Sequence, residues 1–201
     1  MTTRIVVLSD LHVSVPGPLN NFRAGEALAD MIDATLDAGT TLVLAGDVFD
    51  FLQVPDRPET VLDLPAAPDL MRRTFAAIRA QPWGERLFTA LGSKIAHGTQ
   101  CLVLAGNHDP EVLHPSTEQV LGEALGLGGA HKNLCVHRDP GPWQASVGRW
   151  TVRIAHGHRG DPWNAIKTED VQRAIATGDR ALPMPPGSKL VTQALNAYKN
   201  A

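Results

Sequence analysis

Apolar residues gather into short runs along the chain, and each run ends in the same kind of polar punctuation. Ile5-Val6-Val7-Leu8-Ser9 gives way to Asp10-Leu11-His12, and Leu42-Val43-Leu44-Ala45-Gly46 to Asp47 and then Asp50. Leu102-Val103-Leu104-Ala105-Gly106 gives way to Asn107-His108-Asp109, and a run over 150–155 to His156-Gly157-His158. Consecutive apolar positions, as over residues 4–9, predict strands covered on both faces, the pattern of a parallel sheet.

Between the first two runs, Phe22, Ala24, Leu28, Met31, Ile32, Thr35 and Leu36 recur at helical spacing. Asn20 and Asn21 offer helix caps, and Ala38-Gly39 ends the pattern. The opening unit is therefore strand, helix, strand, with a right-handed parallel crossover. Prolines and acids between residues 53 and 68 predict a loop. Residues 70–79 and 85–97 carry two helical runs broken at Gln81-Pro82-Trp83-Gly84, and 116–127 a further one. Residues 132–137 and 149–155 alternate apolar and polar side chains around a Pro/Gly-rich turn at 139–142, which predicts a pair of half-exposed strands. Residues 163–177 and 188–198 read as helices joined by 181–187, with no further strand. This order predicts an α/β layered sandwich.

Composition narrows the class without changing it. The 201 residues are 43% hydrophobic and 19% charged, which suits one soluble globular unit. A net charge of -3 without a Lys/Arg cluster leaves no footprint for sequence-independent nucleic-acid binding, although a metal site can meet phosphate without one. Cys101 and Cys135 lie in or beside apolar runs and read as two free buried thiols, which suits a reducing compartment. The first apolar run is too short for a signal-peptide core or a membrane span. A cytoplasmic protein is expected.

The polar tips carry the chemistry. Ligands of parallel α/β sheets collect at the carboxyl ends of strands, so the four clusters should converge on one crevice. Carboxylates, imidazoles and an amide oxygen suit hard or borderline divalent ions, and two cysteines exclude an all-sulfur zinc site. Asp10 and His12 stand two apart, which on extended backbone puts both side chains on one side, and His156 and His158 repeat the spacing. Asp50 reads equally as a support for a metal ligand or as a turn or helix cap. Arg23 and Arg159 lie just beyond metal motifs and could bind phosphate, though solvated arginines are the commoner case. His97, His114, His131 and His137 have no partner spacing and read as surface or satisfied polar groups, and the four tryptophans as packing residues.

Taken in order, Asp10-x-His12, Gly46-Asp47, Gly106-Asn107-His108-Asp109 and His156-Gly157 resemble the calcineurin-like metallophosphoesterase superfamily over about residues 4–160. The resemblance implies an α/β/β/α sandwich and two divalent metal ions, manganese first and iron or zinc otherwise. Asp10 and His12 would hold one ion, Asp47 would bridge both, and Asn107 and His156 would hold the second. His108 would stabilise the transferring phosphoryl group or protonate the leaving oxygen, oriented by Asp109. The reaction implied is hydrolysis of a phosphomonoester, phosphodiester or pyrophosphate in a phosphorylated small molecule or nucleotide, by a metal-activated water.

The family normally ends in Gly-His-x-His after further strands, and this chain carries only Ala155-His156-Gly157-His158. Either His158 substitutes as a ligand, or the chain is an amino-terminal piece with a second sheet short of strands; the second reading is favoured. Residues 1–160 would then be the core and 161–201 a helical cap or insertion. Such an insertion after His-Gly is similar to the UDP-diacylglucosamine pyrophosphatases, although His108 stands where those enzymes generally carry arginine. Two other classes stay open: a non-catalytic metal-binding scaffold that needs a partner chain to complete the site, and a nuclease subunit.

Overall fold

The computed structural model describes residues 4–55, 60–180 and 182–200; residues 56–59 of the proline-rich segment and residue 181 of the last linker lie outside the described residues. Four parallel strands form the central sheet: β1 (Arg4–Leu8), β2 (Thr40–Ala45), β4 (Gln100–Leu104) and β5 (Leu134–Val136), in the spatial order β1-β2-β4-β5. The register aligns Leu8 with Leu44 and Ala45 with Leu104, so three strands reach their carboxyl ends at one level. Asp10, Asp47 and Asn107 follow within three residues of that level. Their convergence is a consequence of strand register.

Alternation along β2 and β4 divides the core. Leu42, Leu44, Cys101 and Val103 face one side and pack with α1 (Gly25–Thr35), α2 (Ala67–Arg79), α3 (Pro82–Ala96) and α4 (Thr117–Ala124). Val43, Ala45, Leu102 and Leu104 face the other side and meet Ile154, Trp143 and Val152 of the hairpin formed by β6 (Trp143–Val147) and β7 (Trp150–Ile154). Coverage on both faces is why β2 is buried at every position. The layered α/β sandwich follows from this arrangement.

The edge strand departs from expectation. β1 was expected to be covered on both faces, but Val7 is 46% exposed: on that face only Ile5 joins the cluster shared with the hairpin. The expected pairing of 132–137 with 149–155 is also replaced. Leu134 and Val136 are buried by packing against the helical side, and β5 joins β4 in parallel, while Trp150–Ile154 pairs with Trp143–Val147. Period-two patterning reports one covered face and cannot tell which neighbour does the covering. The same alternation leaves Cys135 exposed and only Cys101 buried, and Trp150 and Trp163, read as packing residues, are 65% and 61% exposed.

Helix α1 starts at Gly25, later than Asn20, because the buried Asn20 accepts from the Phe22 amide and donates to Ser14 O, holding a turn and capping no helix. Beyond the hairpin, α5 (Thr168–Thr177) and a helical run from Pro186 to Asn200 with a π-helical turn over Val191–Leu195 supply the expected helices. The linker before that run contributes a strand after all, since β8 (Leu182–Pro183) pairs antiparallel with β3 (Val61–Leu62) of the proline-rich segment. Ile166, Val171, Ala174 and Met184 share an apolar cluster with Leu52, Leu62, Leu64 and Leu113. This seats the helical segment beside the strand tips. Among the described residues no helix is long and apolar enough to cross a membrane.

Glycine permits close approaches in the helical layer, the tightest at Gly122. A Cβ on Gly122 of α4 would lie 1.9 Å from Gly129 O. Gly122→Ala should therefore destabilise the fold by about 1–3 kcal/mol through overpacking, exceeding the roughly 0.5–1 kcal/mol gain in helix propensity. A denaturant titration in which the alanine variant is the more stable protein would contradict this packing.

Candidate metal centre

The residues at the strand tips adopt backbone conformations that side chains normally avoid. Asp10, His12 and Asp47 have φ of 55°, 52° and 50°, each a strained choice costing on the order of 1–3 kcal/mol unless its surroundings enforce it. Those surroundings are backbone hydrogen bonds between adjacent tips: Asp10 N donates to Gly46 O at 3.1 Å and His12 N to Asp47 O at 2.9 Å. The extended geometry expected between Asp10 and His12 is absent, and the two side chains part company.

Carboxylate and imidazole atoms gather in two groups, each within 4.8 Å: Asp10, Asp47 and His156 in one, His12, Asp50 and His108 in the other. Asp47 stands between them. Its Oδ1 accepts from the His108 amide at 2.8 Å, while Oδ2 lies 3.3 Å from His156 Nε2 and 3.9 Å from His12 Nε2. The far nitrogens of both rings are engaged, His156 Nδ1 with Ala45 O at 3.0 Å and His12 Nδ1 with Asp50 Oδ2 at 3.2 Å. With each Nδ1 donating, both rings present an Nε2 lone pair towards Asp47 Oδ2, the tautomer a metal ligand needs.

Two glycines make room for this convergence. A Cβ on Gly106 would lie 2.0 Å from Asp47 Oδ1, and one on Gly46, whose φ is 87°, would lie 2.5 Å from the His156 ring. Asn107 is buried between Gly106 and His108, both of which touch Asp47. His158 lies next to His156, ring centroids 5.2 Å apart, but its Nε2 is engaged with Ile166 O at 3.1 Å, so only Nδ1 is left for a ligand.

Asp109 and Asp50 exchange the roles that neighbourhood in sequence suggests. Asp109 is fully buried and accepts from the backbone amides of Gly106, Asp47, Val48 and Phe49 at 2.7–3.2 Å, tying the β4 tip to the β2 tip. Asp50 instead stands beside His108, with Oδ1 3.1 Å from Nδ1 and also accepting from Leu52 N, while Gln53 Nε2 donates to Oδ2. Asp50 thus supports both rings of its group and also caps a short 3-10 turn, Phe51–Gln53. Gly46-Asp47-x-x-Asp50 spacing was the available signal for this residue; nothing in the sequence marked Gln53.

Charge is concentrated here. Burial pushes the Asp109 carboxyl up, and the nearby Asp47 charge adds to it against the pull of the backbone amides, to about 7. Burial raises Asp47 and Asp50 too, but the histidines and amides facing them leave both below the ordinary carboxylate range. The hydrogen bond from His12 to Asp50 raises its imidazole above 6.5; His156 is lowered by burial yet raised overall by Asp47. His158 Nδ1 is buried without a hydrogen-bond partner, while His108 Nδ1 faces Asp50 Oδ1. Crowded carboxylates and imidazole lone pairs aimed inward are what a divalent cation would satisfy. The residues present fit such a group.

A parallel sheet whose tips bring together two carboxylate–imidazole groups defines an α/β protein with a site built for divalent metal. The chain belongs to the calcineurin-like phosphoesterase family, whose profile matches residues 3–192. No curated protein and no solved structure matches the chain.

The two remaining arginines of interest separate. Arg23 lines a surface cleft with Trp83, whereas Arg159 lines a cleft that His156 and His158 also border.

Two outcomes follow from this geometry. Metal binding must displace protons from His12 and His156, whose pKa values are raised, so affinity should begin to fall above pH 6.5 as the pH is lowered. Manganese titrations between pH 8 and 5 that give one constant affinity would contradict the ligand set. Gly106→Ala should lose metal while retaining helical and strand content by circular dichroism, because the added methyl strikes the Asp47 carboxylate; full metal occupancy in that variant would refute the close approach.

Proposed function

We propose that the chain hydrolyses a phosphoester or pyrophosphate bond using two divalent cations held by Asp10, His12, Asp47, Asn107, His156 and His158, with Asp47 bridging. What carries the reading is the position of Asp47 Oδ2 facing the Nε2 atoms of both His156 and His12. A carboxylate oxygen has two lone pairs to share between two ions, whereas an imidazole nitrogen has one and serves only one. When bound, such a pair of ions lowers the pKa of a water and neutralises charge on the phosphoryl oxygens. Manganese is the proposed metal, with iron or zinc as alternatives.

The protein's own groups do the rest. His108 is placed to give a proton to the leaving oxygen, and the Asp50 carboxylate beside Nδ1 fixes the tilt of its ring. The His12 ring meets His108 edge-on, centroids 4.6 Å apart, which restricts the motion of both. Asp109 acts at one remove, by fixing the backbone that carries Asp47. The segment 161–200 would form a cap beside the site.

Metal analysis of the purified full chain, with turnover of bis(4-nitrophenyl) phosphate, tests the reading. Two tightly held ions and hydrolysis are expected; fewer than one ion per chain would favour a metal-poor scaffold role. Digestion of single- and double-stranded DNA with manganese present tests the nuclease alternative. His108→Ala should lower turnover by about 10²–10⁴-fold, the usual range for loss of an acid–base group, while leaving metal content intact. Equal loss of both would overturn the role given to His108.

A further inference from the structure

A cleft of about 200 Å³ opens directly beside His156 and His158, between the 139–142 turn and the start of α5. Its floor is apolar, formed by Leu104, Ala105 and Leu113. Arg159 stands on its wall, only three residues from His156, and the phosphoryl-transfer reading does not use it. The Arg159 Nη2 pairs with Glu169 at 3.0 Å and Nη1 donates to Pro140 O, which also borders the cleft. These contacts aim the guanidinium and leave other N–H donors of its five unused. The ion pair is exposed, with side chains 35% and 52% accessible, and such pairs contribute only about 0–1 kcal/mol. An incoming anion can share or displace Glu169 at little cost.

We infer that this cleft seats the organic part of the substrate beyond the phosphoryl group, and that Arg159 selects substrates whose organic part carries its own negative charge on an apolar body packed against Leu104 and Leu113. This rests on the hydrolase reading and deepens it. Water adds at phosphorus, the bond from phosphorus to the leaving oxygen breaks, and the departing alcohol takes a proton; Arg159 touches only the remote anion. It is a specificity residue. Asp139 also borders the cleft, and preference for a cationic organic part is the competing outcome.

Three aryl phosphates of matched shape decide between them: phenyl phosphate, 4-carboxyphenyl phosphate and 4-(aminomethyl)phenyl phosphate, hydrolysed by the full chain with manganese. The carboxylated ester should have the highest kcat/KM, mainly through a lower KM. Arg159→Gln should lower the carboxyphenyl-to-phenyl ratio at least tenfold, and Arg159→Lys, which keeps charge and loses the planar fork, should restore part of it. An unchanged ratio, or preference for the aminomethyl ester, overturns the inference. Binding supplies a readout independent of turnover: 4-carboxyphenylphosphonate should bind at least tenfold tighter than phenylphosphonate, and Arg159→Gln should abolish the difference. Turnover of bis(4-nitrophenyl) phosphate tests the hydrolase reading separately, and where none of the three monoesters is hydrolysed the phosphonate titration decides the cleft; equal affinities, including no binding of either, overturn the inference.

Discussion

A single buried carboxylate organises the centre of this protein. Asp47 accepts from the amide that follows β4, faces imidazoles from the β1 tip and from the end of the hairpin, and sits on a backbone held by Asp109. Segments separated by more than one hundred residues therefore share one set of atoms. A carboxylate so placed is tolerable only when surrounded by donors or cations, because desolvation of a bare charge costs far more than a surface charge returns. The amide of His108 and the two imidazoles meet part of that need, and a metal would meet the remainder.

The surrounding scaffold absorbs the cost. Three side-chain-bearing residues at positive φ and two glycines in close approach would each weaken an isolated loop. Here they are clamped between parallel strands whose registers align, with Val13 bridging to Phe49 just beyond the tips. The fully buried β2 strand and its hydrogen-bonded neighbours are the rigid elements, and the candidate ligands project from their ends. Precision at a metal site demands such support, since ligand positions must hold to a fraction of an ångström.

How far the fold could be read depended on what each strand touches. Long apolar runs such as 42–45 and 102–104 announced themselves because both faces are covered. Residues 134–136 did not, since three residues with one buried face look the same whether they extend a parallel sheet or pair in a hairpin. Helix existence was legible from spacing, while the start of α1 was displaced by the buried turn at Asn20. The two-residue ladder between β3 and β8 had no local signal, because proline-rich segments carry no period.

The order of residue types was written in the chain: carboxylate, imidazole and amide groups placed just after apolar runs, with glycines where backbones must approach. Sequence alone therefore determined the family, the strand tips and the kind of chemistry they support. Tertiary structure decided the pairings. It assigned His108 to Asp50 and Asp109 to the backbone, turned the Nε2 atoms of His12 and His156 towards one oxygen, and set Arg159 beside a cleft. The reason is physical: residue type is a local property, whereas the direction of a side chain depends on φ values, register and close contacts that distant segments impose on one another.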